Sequence, residues 1–385
     1  MSQHNCDLLI VGAGILGLAH AWAGVRRGLK VRVFERSHTP LGASIRNFGQ
    51  ALVTGQAPGP MLDLARQSHG LWAELGSAAG LAIKQQGSLV LARTEAEEAM
   101  LEAFSAGRGR ALGYRTELLR GVALESLYDG RFTHHRAALH GLDDQQLFSR
   151  EALPQIIDYL ASQGVEFHFS TLVRDVEPGY ALTTAGRFSA RHIVVCSGHD
   201  YQTLLAEQMA TLRPSVCRLQ MLRARLLQPL DLHHAVLTGL SCVHYGAFCD
   251  LPEAEAIRAE IRRDHPVLED HGIHLLISPT PRGELIIGDS HDYGSDAAPF
   301  NAEGVDQLLI DLAEHTLGGR LQVLERWQGV YGARGPAPFS VKPAADGVTA
   351  VLMHTGLGMS VGLALGERTV AALLGEGEWP EALSA

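Results

Sequence analysis

Apolar and polar positions follow two rhythms along this chain. Asp7-Leu-Leu-Ile-Val11 is a continuous apolar run, the pattern of a strand covered on both faces. A glycine turn follows it, then an apolar-rich segment that predicts a helix to about Arg27, then Lys30-Val-Arg-Val-Phe-Glu35 as a second strand. The same strand, glycine turn and helix order recurs over Val348 to Ala371, and Ala190 to Gly198 is another apolar strand that closes on a glycine turn. Helical periodicity over Met61 to Ala79, Arg150 to Gln163 and Gly304 to Leu317 predicts outer packing helices, the last with one apolar face. Between these lie shorter runs. Gln86 to Ala92 and Val216 to Val243 predict strands with hairpin-like turns, and His274 to Ser278 with Glu284 to Ile287 predicts a two-strand hairpin across Pro279 to Gly283.

Buried parallel-type strands near the beginning, middle and end, with antiparallel signals between them, predict an α/β fold. A discontinuous nucleotide-binding domain of residues 1–82, 141–213 and 325–385 is expected, interrupted by an α+β substrate domain of 83–140 and 214–324 on a mainly antiparallel sheet. A length of 385 residues with 46% hydrophobic and 19% charged positions is enough to bury a core, which excludes a disordered chain. The formal charge of -10 argues against a nucleic-acid partner, which needs a concentrated basic face. Five cysteines without a Cys-x-x-Cys spacing suggest neither a disulfide framework nor a zinc site, and fit a cytoplasmic location. The apolar stretch Asp7 to Val25 is interrupted by three glycines and preceded by no Lys or Arg, so it reads as strand and helix rather than a signal peptide. No stretch predicts a stable membrane insertion.

Chemistry enters at Gly12-Ala13-Gly14-Ile15-Leu16-Gly17. Gly12 makes a tight turn, Gly14 lets backbone approach a pyrophosphate, Gly17 lets helix and strand pack closely, and the helix N-terminus offers partial positive charge. Glu35, ending the second strand beside Arg36, is placed to accept hydrogen bonds from ribose hydroxyls. Such glycines also populate ordinary turns, but strand context and terminal acid agree here. Two later segments favour FAD over NAD as the nucleotide: Ser197-Gly198 at the end of the apolar strand, with Val173 ahead of it, and Gly356-Leu357-Gly358-Met359-Ser360 before the last helix. A nicotinamide enzyme has no need of a third glycine-rich contact so far along the chain. An NAD-dependent dehydrogenase and a flavoprotein acting as a sensor or assembly module are the alternatives outside amine oxidation.

Gly42-Ala43-Ser44-Ile45-Arg46-Asn47-Phe48-Gly49-Gln50 resembles the loop that runs under the flavin in the D-amino-acid oxidase and glycine/sarcosine oxidase superfamily. That resemblance covers nearly the whole chain and implies a glutathione-reductase-type FAD-binding domain and oxidation of a small amine. The strings Arg46 to Gln50, Thr54 to Pro60, Cys217 to Met221, Gly288 to Tyr293 and Trp327 to Tyr331 resemble more narrowly the flavin oxidoreductases of bacterial phosphonate catabolism. This implies a substrate such as 2-aminoethylphosphonate or its N-methyl form, giving phosphonoacetaldehyde; glycine, sarcosine or a D-amino acid is the alternative.

One departure from the superfamily stands out. Its pattern Trp-x-Gly-x-Arg places an arginine on the substrate carboxylate, and here the last position is Tyr331. A tyrosine brings a hydrogen bond without fixed charge, so another anion, held by several separated donors, fits better. Candidate donors are Arg46, His244, Tyr245, His291 and Tyr331. The bland readings are a surface ion pair for Arg46, half-buried sheet positions for His244 and Tyr245 on a strand, and a turn cap for His291. Arg282 and Arg334 sit beside Pro or Gly and read as solvent-loop residues. The sequence displays no acid/base dyad. Oxygen or another acceptor reoxidises the flavin, and the absence of His or Cys from 42–50 favours noncovalent FAD.

Overall fold

The computed structural model describes residues 6–381, so the outermost ends of the expected cofactor domain, 1–5 and 382–385, lie outside it. The strand Cys6–Val11 runs at the centre of an eight-stranded sheet. Val31–Phe34 lies parallel on one side of it and Gly186–Val195 on the other, with Val348–Met353 parallel beyond that. Neighbours on both edges and helices on the face explain why this strand has no outward-facing polar position between Leu8 and Val11.

The helices Ile15–Arg26 and Gly358–Leu373 cross over this sheet. A Cβ at Gly366 would stand 2.8 Å from the Ala19 carbonyl carbon, so the two helix backbones meet almost directly. Pro60–Ala79 packs against the second of them and fixes its start, because the buried Trp72 indole donates to the Met359 carbonyl at 2.8 Å. Strand, turn and helix are thereby locked at both glycine-rich segments.

The second sheet has nine strands, mainly antiparallel. Ser215–Leu226 pairs along its length with Leu321–Ala333, from Ser215 opposite Ala333 to Leu226 opposite Leu321. It pairs on its other edge with Leu285–Gly288 and Asp292–Gly294. This sheet includes residues 325–333, which the expected boundary at 325 assigns to the cofactor part. The hairpin across Pro279 to Gly283 forms as expected, with Leu276 opposite Gly288 and Pro279 opposite Leu285.

The expected strands between Val216 and Val243 need correction. Ala235–Thr238 pairs with Ser88–Ala92 and Leu276–Pro279 rather than folding back on Ser215–Leu226, and Gly239–Val243 is a short 3-10 helix. The cause is local crowding: the buried Glu97 carboxyl, which caps its own helix, fills the space a side chain at 239 would take, 2.4 Å from that Cβ position. His244 and Tyr245 therefore leave a helical turn, not a strand, with both N–H groups donating to the Ser241 carbonyl.

Candidate active site

A cavity of about 640 Å³ runs from the first glycine turn between the two sheets to the Ser215–Leu226 and Leu321–Ala333 strands. Its narrow end is built by glycines. Gly12 has φ +99°, and a Cβ there would lie 2.4 Å from the Cys196 carbonyl oxygen; a Cβ at Gly17 would lie 1.9 Å from the Gly12 carbonyl oxygen. The turn, the helix start and the end of the Gly186–Val195 strand are thus in backbone contact. Leu18 N–H bonds to the Gly14 carbonyl and opens the helical ladder, while the Ile15 N–H is taken by Ser44 Oγ at 2.9 Å. The N–H groups of Leu16 and Gly17 precede that ladder and point out of the helix end at the cavity.

Glu35 closes the second strand, where one carboxylate oxygen accepts from Ala13 N–H and the other from Ser37 N–H, both at 3.0 Å. Arg36 reaches across to Asp200 at 2.7 Å and ties the strand end to the Ser197-Gly198 turn. Ser44, held by Ile15, stands within the same cavity as Gly358, so the first and last glycine-rich segments do converge. At that wall Thr355 Oγ1 is a buried hydroxyl with no hydrogen-bond partner among the described residues.

Four of the expected cofactor contacts stand behind the wall instead of lining it. Ala13 is buried and contributes its N–H to Glu35. At Gly49 a Cβ would strike the Leu147 carbonyl at 1.7 Å, Gln50 donates to Ser278 Oγ at 2.9 Å, and Ser360 Oγ accepts from Leu52 N–H at 2.9 Å. These four hold strands and loops to one another. The others line it: Gly12, Gly14, Ile15, Leu16, Gly17, Glu35, Arg36, Ala43, Ser44, Asn47, Phe48, Val173, Ser197, Gly198, Gly356, Leu357, Gly358 and Met359.

Arg46, His244, Tyr245, His291 and Tyr331 all face the cavity as well. Arg46 is tethered, since its guanidinium donates to the Gln328 carbonyl at 3.4 Å and its own carbonyl accepts from the Trp327 indole at 3.0 Å. Tyr331 and Tyr293 flank Cys217 from the two neighbouring strands. Burial raises the Tyr331 hydroxyl well above the usual phenol range, and raises Tyr293 to about 12, so both remain hydrogen-bond donors.

Sequence reasoning overlooked His274, Asp289 and Tyr293 as site residues and set Arg334 aside. His274 Nε2 lies 3.0 Å from Asp289 Oδ2 and His291 Nε2 lies 3.7 Å from Asp289 Oδ1, with His274 and Asp289 buried and His291 partly so. His244 stacks on His274 with ring centroids 4.2 Å apart, His291 stacks on Tyr293 at 5.9 Å, and the Arg334 guanidinium lies 4.0 Å over the Tyr293 ring. Arg334 is the exposed loop residue that its neighbours predict, and that loop borders the cavity: the residue has φ 52°, and no carboxylate pairs with it among the described residues. His274 and Asp289 form a buried imidazole–carboxylate pair that the sequence does not display. A partial signal was present, because Asp289, His291 and Tyr293 occupy alternate positions of one short segment, and all three line the cavity.

The sequence model of the DAO family, described as FAD dependent oxidoreductase, matches residues 7–372. The chain belongs to this family. A glycine oxidase of Geobacillus kaustophilus (strain HTA426) is 27% identical over 210 residues, which are 51% of this chain and 55% of that protein, so the match spans about half the relative's length. The crystal structure of glycine oxidase from Geobacillus kaustophilus superposes with a TM-score of 0.75 at 21% identity over 98% of this chain and 96% of that one. Iminodiacetate oxidase from Chelativorans sp. BNC1 superposes with a TM-score of 0.72 at 17% identity over 98% and 97%. L-proline dehydrogenase from P. horikoshii gives a TM-score of 0.78 at 15% identity over 97% and 95%. At these identities the structures establish the shared fold, a Rossmann-like FAD domain with a mainly antiparallel second sheet.

FAD is the cofactor of this flavoprotein family, and the cavity fits it. Backbone replaces side chains at Gly12, N–H groups at a helix end meet a phosphate's needs, and the orphan Thr355 hydroxyl offers a partner to a polar ring or chain atom. All five cysteines are free thiols, and no helix among the described residues is long and apolar enough to cross a membrane.

Proposed function

We propose that this flavoprotein oxidises a small amine that carries an anionic group, giving an imine that water hydrolyses to a carbonyl compound and an amine. Bound FAD supplies the two-electron acceptor. The residues of the wide end supply position. The observation that carries the reading is Arg334, a guanidinium without a carboxylate partner, stacked on Tyr293 beside Tyr331 in the cavity of the glycine-rich segments. A fixed charge with five donors, flanked by two neutral phenols, is an anion clamp. Holding one end of the amine fixes its C–H bond relative to the narrow end, and such alignment supplies up to about 7–11 kcal/mol of barrier lowering.

The anion divides the reading in two. A carboxylate is favoured by the relatives, whose names are glycine oxidase, iminodiacetate oxidase and L-proline dehydrogenase. A phosphonate, as in 2-aminoethylphosphonate or its N-methyl form, is favoured by Tyr331 standing in place of an arginine, and by donors spread over Arg334, Tyr293 and Tyr331. Anaerobic bleaching of the bound flavin with a matched pair, an N-methylated aminophosphonate and the corresponding amino acid, decides between them. Faster bleaching by the amino acid assigns the carboxylate; no bleaching by any amine removes the whole reading.

Tyr331→Phe should raise KM for the anionic amine by up to about tenfold, the worth of one hydrogen bond of about 0.5–1.5 kcal/mol, with flavin content unchanged. Unchanged steady-state constants would take Tyr331 out of the site.

A further inference from the structure

The pair Asp289 and His291 has a hydrogen-bond deficit that the anion clamp does not explain. His291 Nδ1 lies 2.8 Å from the Gly272 carbonyl, an acceptor only, so Nδ1 carries the proton. In the neutral ring, Nε2 then presents a lone pair toward Asp289 Oδ1 at 3.7 Å. Burial pushes His291 below the usual imidazole range, with Asp289 opposing and His274 adding to the fall. At Asp289 burial acts upward, but His274 and His291 outweigh it and hold the carboxyl down at about 2. Two electron-pair acceptors therefore face each other across a gap in the cavity wall, with no donor between them.

The chain distorts its backbone to build this gap. Asp289 has φ 95° and Leu275, next to His274, has φ 48°, left-handed conformations that cost non-glycine residues about 1–3 kcal/mol each. Asp289 is further fixed by His274 Nε2 at 3.0 Å on its other oxygen, and His274 by Ser241 Oγ at 3.1 Å. The two imidazoles are within 18° of parallel and approach separate carboxylate oxygens, His274 at hydrogen-bond distance and His291 beyond it, so His274 is engaged by Asp289 while His291 Nε2 is not.

We propose that the notch between Asp289 Oδ1 and His291 Nε2 receives the substrate nitrogen as its ammonium ion, and that His291 is the base that takes its proton. The inference rests on amine oxidation as the reaction. One N–H bond of the ammonium breaks, its electron pair stays on nitrogen, and an N–H bond forms at His291 Nε2. The positive charge passes to the imidazole, where Asp289 balances it, and the freed lone pair is what loss of hydride from the adjacent carbon requires. His291 faces Asp289, His274, His244 and Tyr293, so the new charge meets the Asp289 carboxylate and three aromatic rings. The Arg334 guanidinium lies over the Tyr293 ring and His291 stacks on the same ring, so the anion clamp and the ammonium notch share Tyr293 as a neighbour within one cavity.

The test is the pH dependence of anaerobic flavin reduction in the FAD-loaded enzyme and in His291→Asn, whose amide retains a donor for the Gly272 carbonyl but lacks Nε2. Wild type takes the ammonium form, so its rate per amine concentration should stay level from about pH 7 to pH 9, below the alkylammonium value of about 10.4. His291→Asn must wait for neutral amine, so the same quantity should rise about tenfold per pH unit over that range. A uniform loss at all pH values, or parallel profiles in the two proteins, would overturn the assignment while leaving amine oxidation intact. No bleaching of wild type at any pH would remove both. Stoichiometric zinc or iron in purified wild type, lost in His291→Asn, would show the notch to be a metal site and overturn the assignment as well.

Discussion

Gly17→Val is expected to yield protein without bound flavin. Even a Cβ at this position would lie 1.9 Å from the Gly12 carbonyl oxygen and 3.3 Å from Ile10 Cγ2, and neither is free to move. Gly12 is itself pressed against the Cys196 carbonyl, so strain passes to the strand Gly186–Val195. Relief requires the helix Ile15–Arg26 to withdraw by about 1 Å or more to reach contact distance. Overpacking of this kind costs about 1–3 kcal/mol or more, and it also moves the Leu16 and Gly17 N–H groups away from any phosphate. The ratio of flavin absorbance to protein absorbance, with a thermal unfolding midpoint, measures both effects. A variant that purifies with one flavin per chain would refute the phosphate cradle placed here.

The second large effect belongs to Arg334. Arg334→Met keeps much of the side chain's length and its apolar contact with Tyr293 and removes the charge. KM for the anionic amine should rise about 10- to 200-fold, corresponding to about 1.5–3 kcal/mol for a hydrogen bond to a charged group. Flavin content and the rate with a neutral amine of the same shape should change little, because the guanidinium makes no ion pair that the fold depends on. Arg334→Lys restores charge without the planar fork, so partial recovery is expected, and more for a tetrahedral anion than for a carboxylate. Equal losses with neutral and anionic amines would mean that Arg334 shapes the wall and does not grip the substrate.

The cofactor end was legible in the sequence because its function is performed by backbone. A glycine whose Cβ would stand 2.4 Å from a carbonyl oxygen leaves a mark no other residue can imitate, and a strand buried on both sides is apolar throughout. The substrate end is built from side chains whose neighbours are distant in the chain. His274 meets Asp289 only because the hairpin register carries beyond Leu276 and Gly288, and Arg334 meets Tyr293 only because the Ser215–Leu226 strand holds one on each edge. The Pro and Gly near Arg334 do mark an exposed loop, but nothing in them shows that the loop borders the cavity. Gly239–Val243 misled for a related reason: a strand-like composition yields to the Glu97 carboxyl filling the place a side chain needs.

The order of the eight-stranded sheet bears on how the protein is made. Cys6–Val11 is made well before its neighbour Gly186–Val195, and Val348–Met353 follows later still. During synthesis the strand Cys6–Val11 waits with one apolar edge uncovered, a state prone to aggregation, and the flavin cradle closes only when the helix Gly358–Leu373 arrives. Cells starved of flavin should therefore accumulate this chain as insoluble material, and supplying the vitamin after translation has finished should rescue little of it.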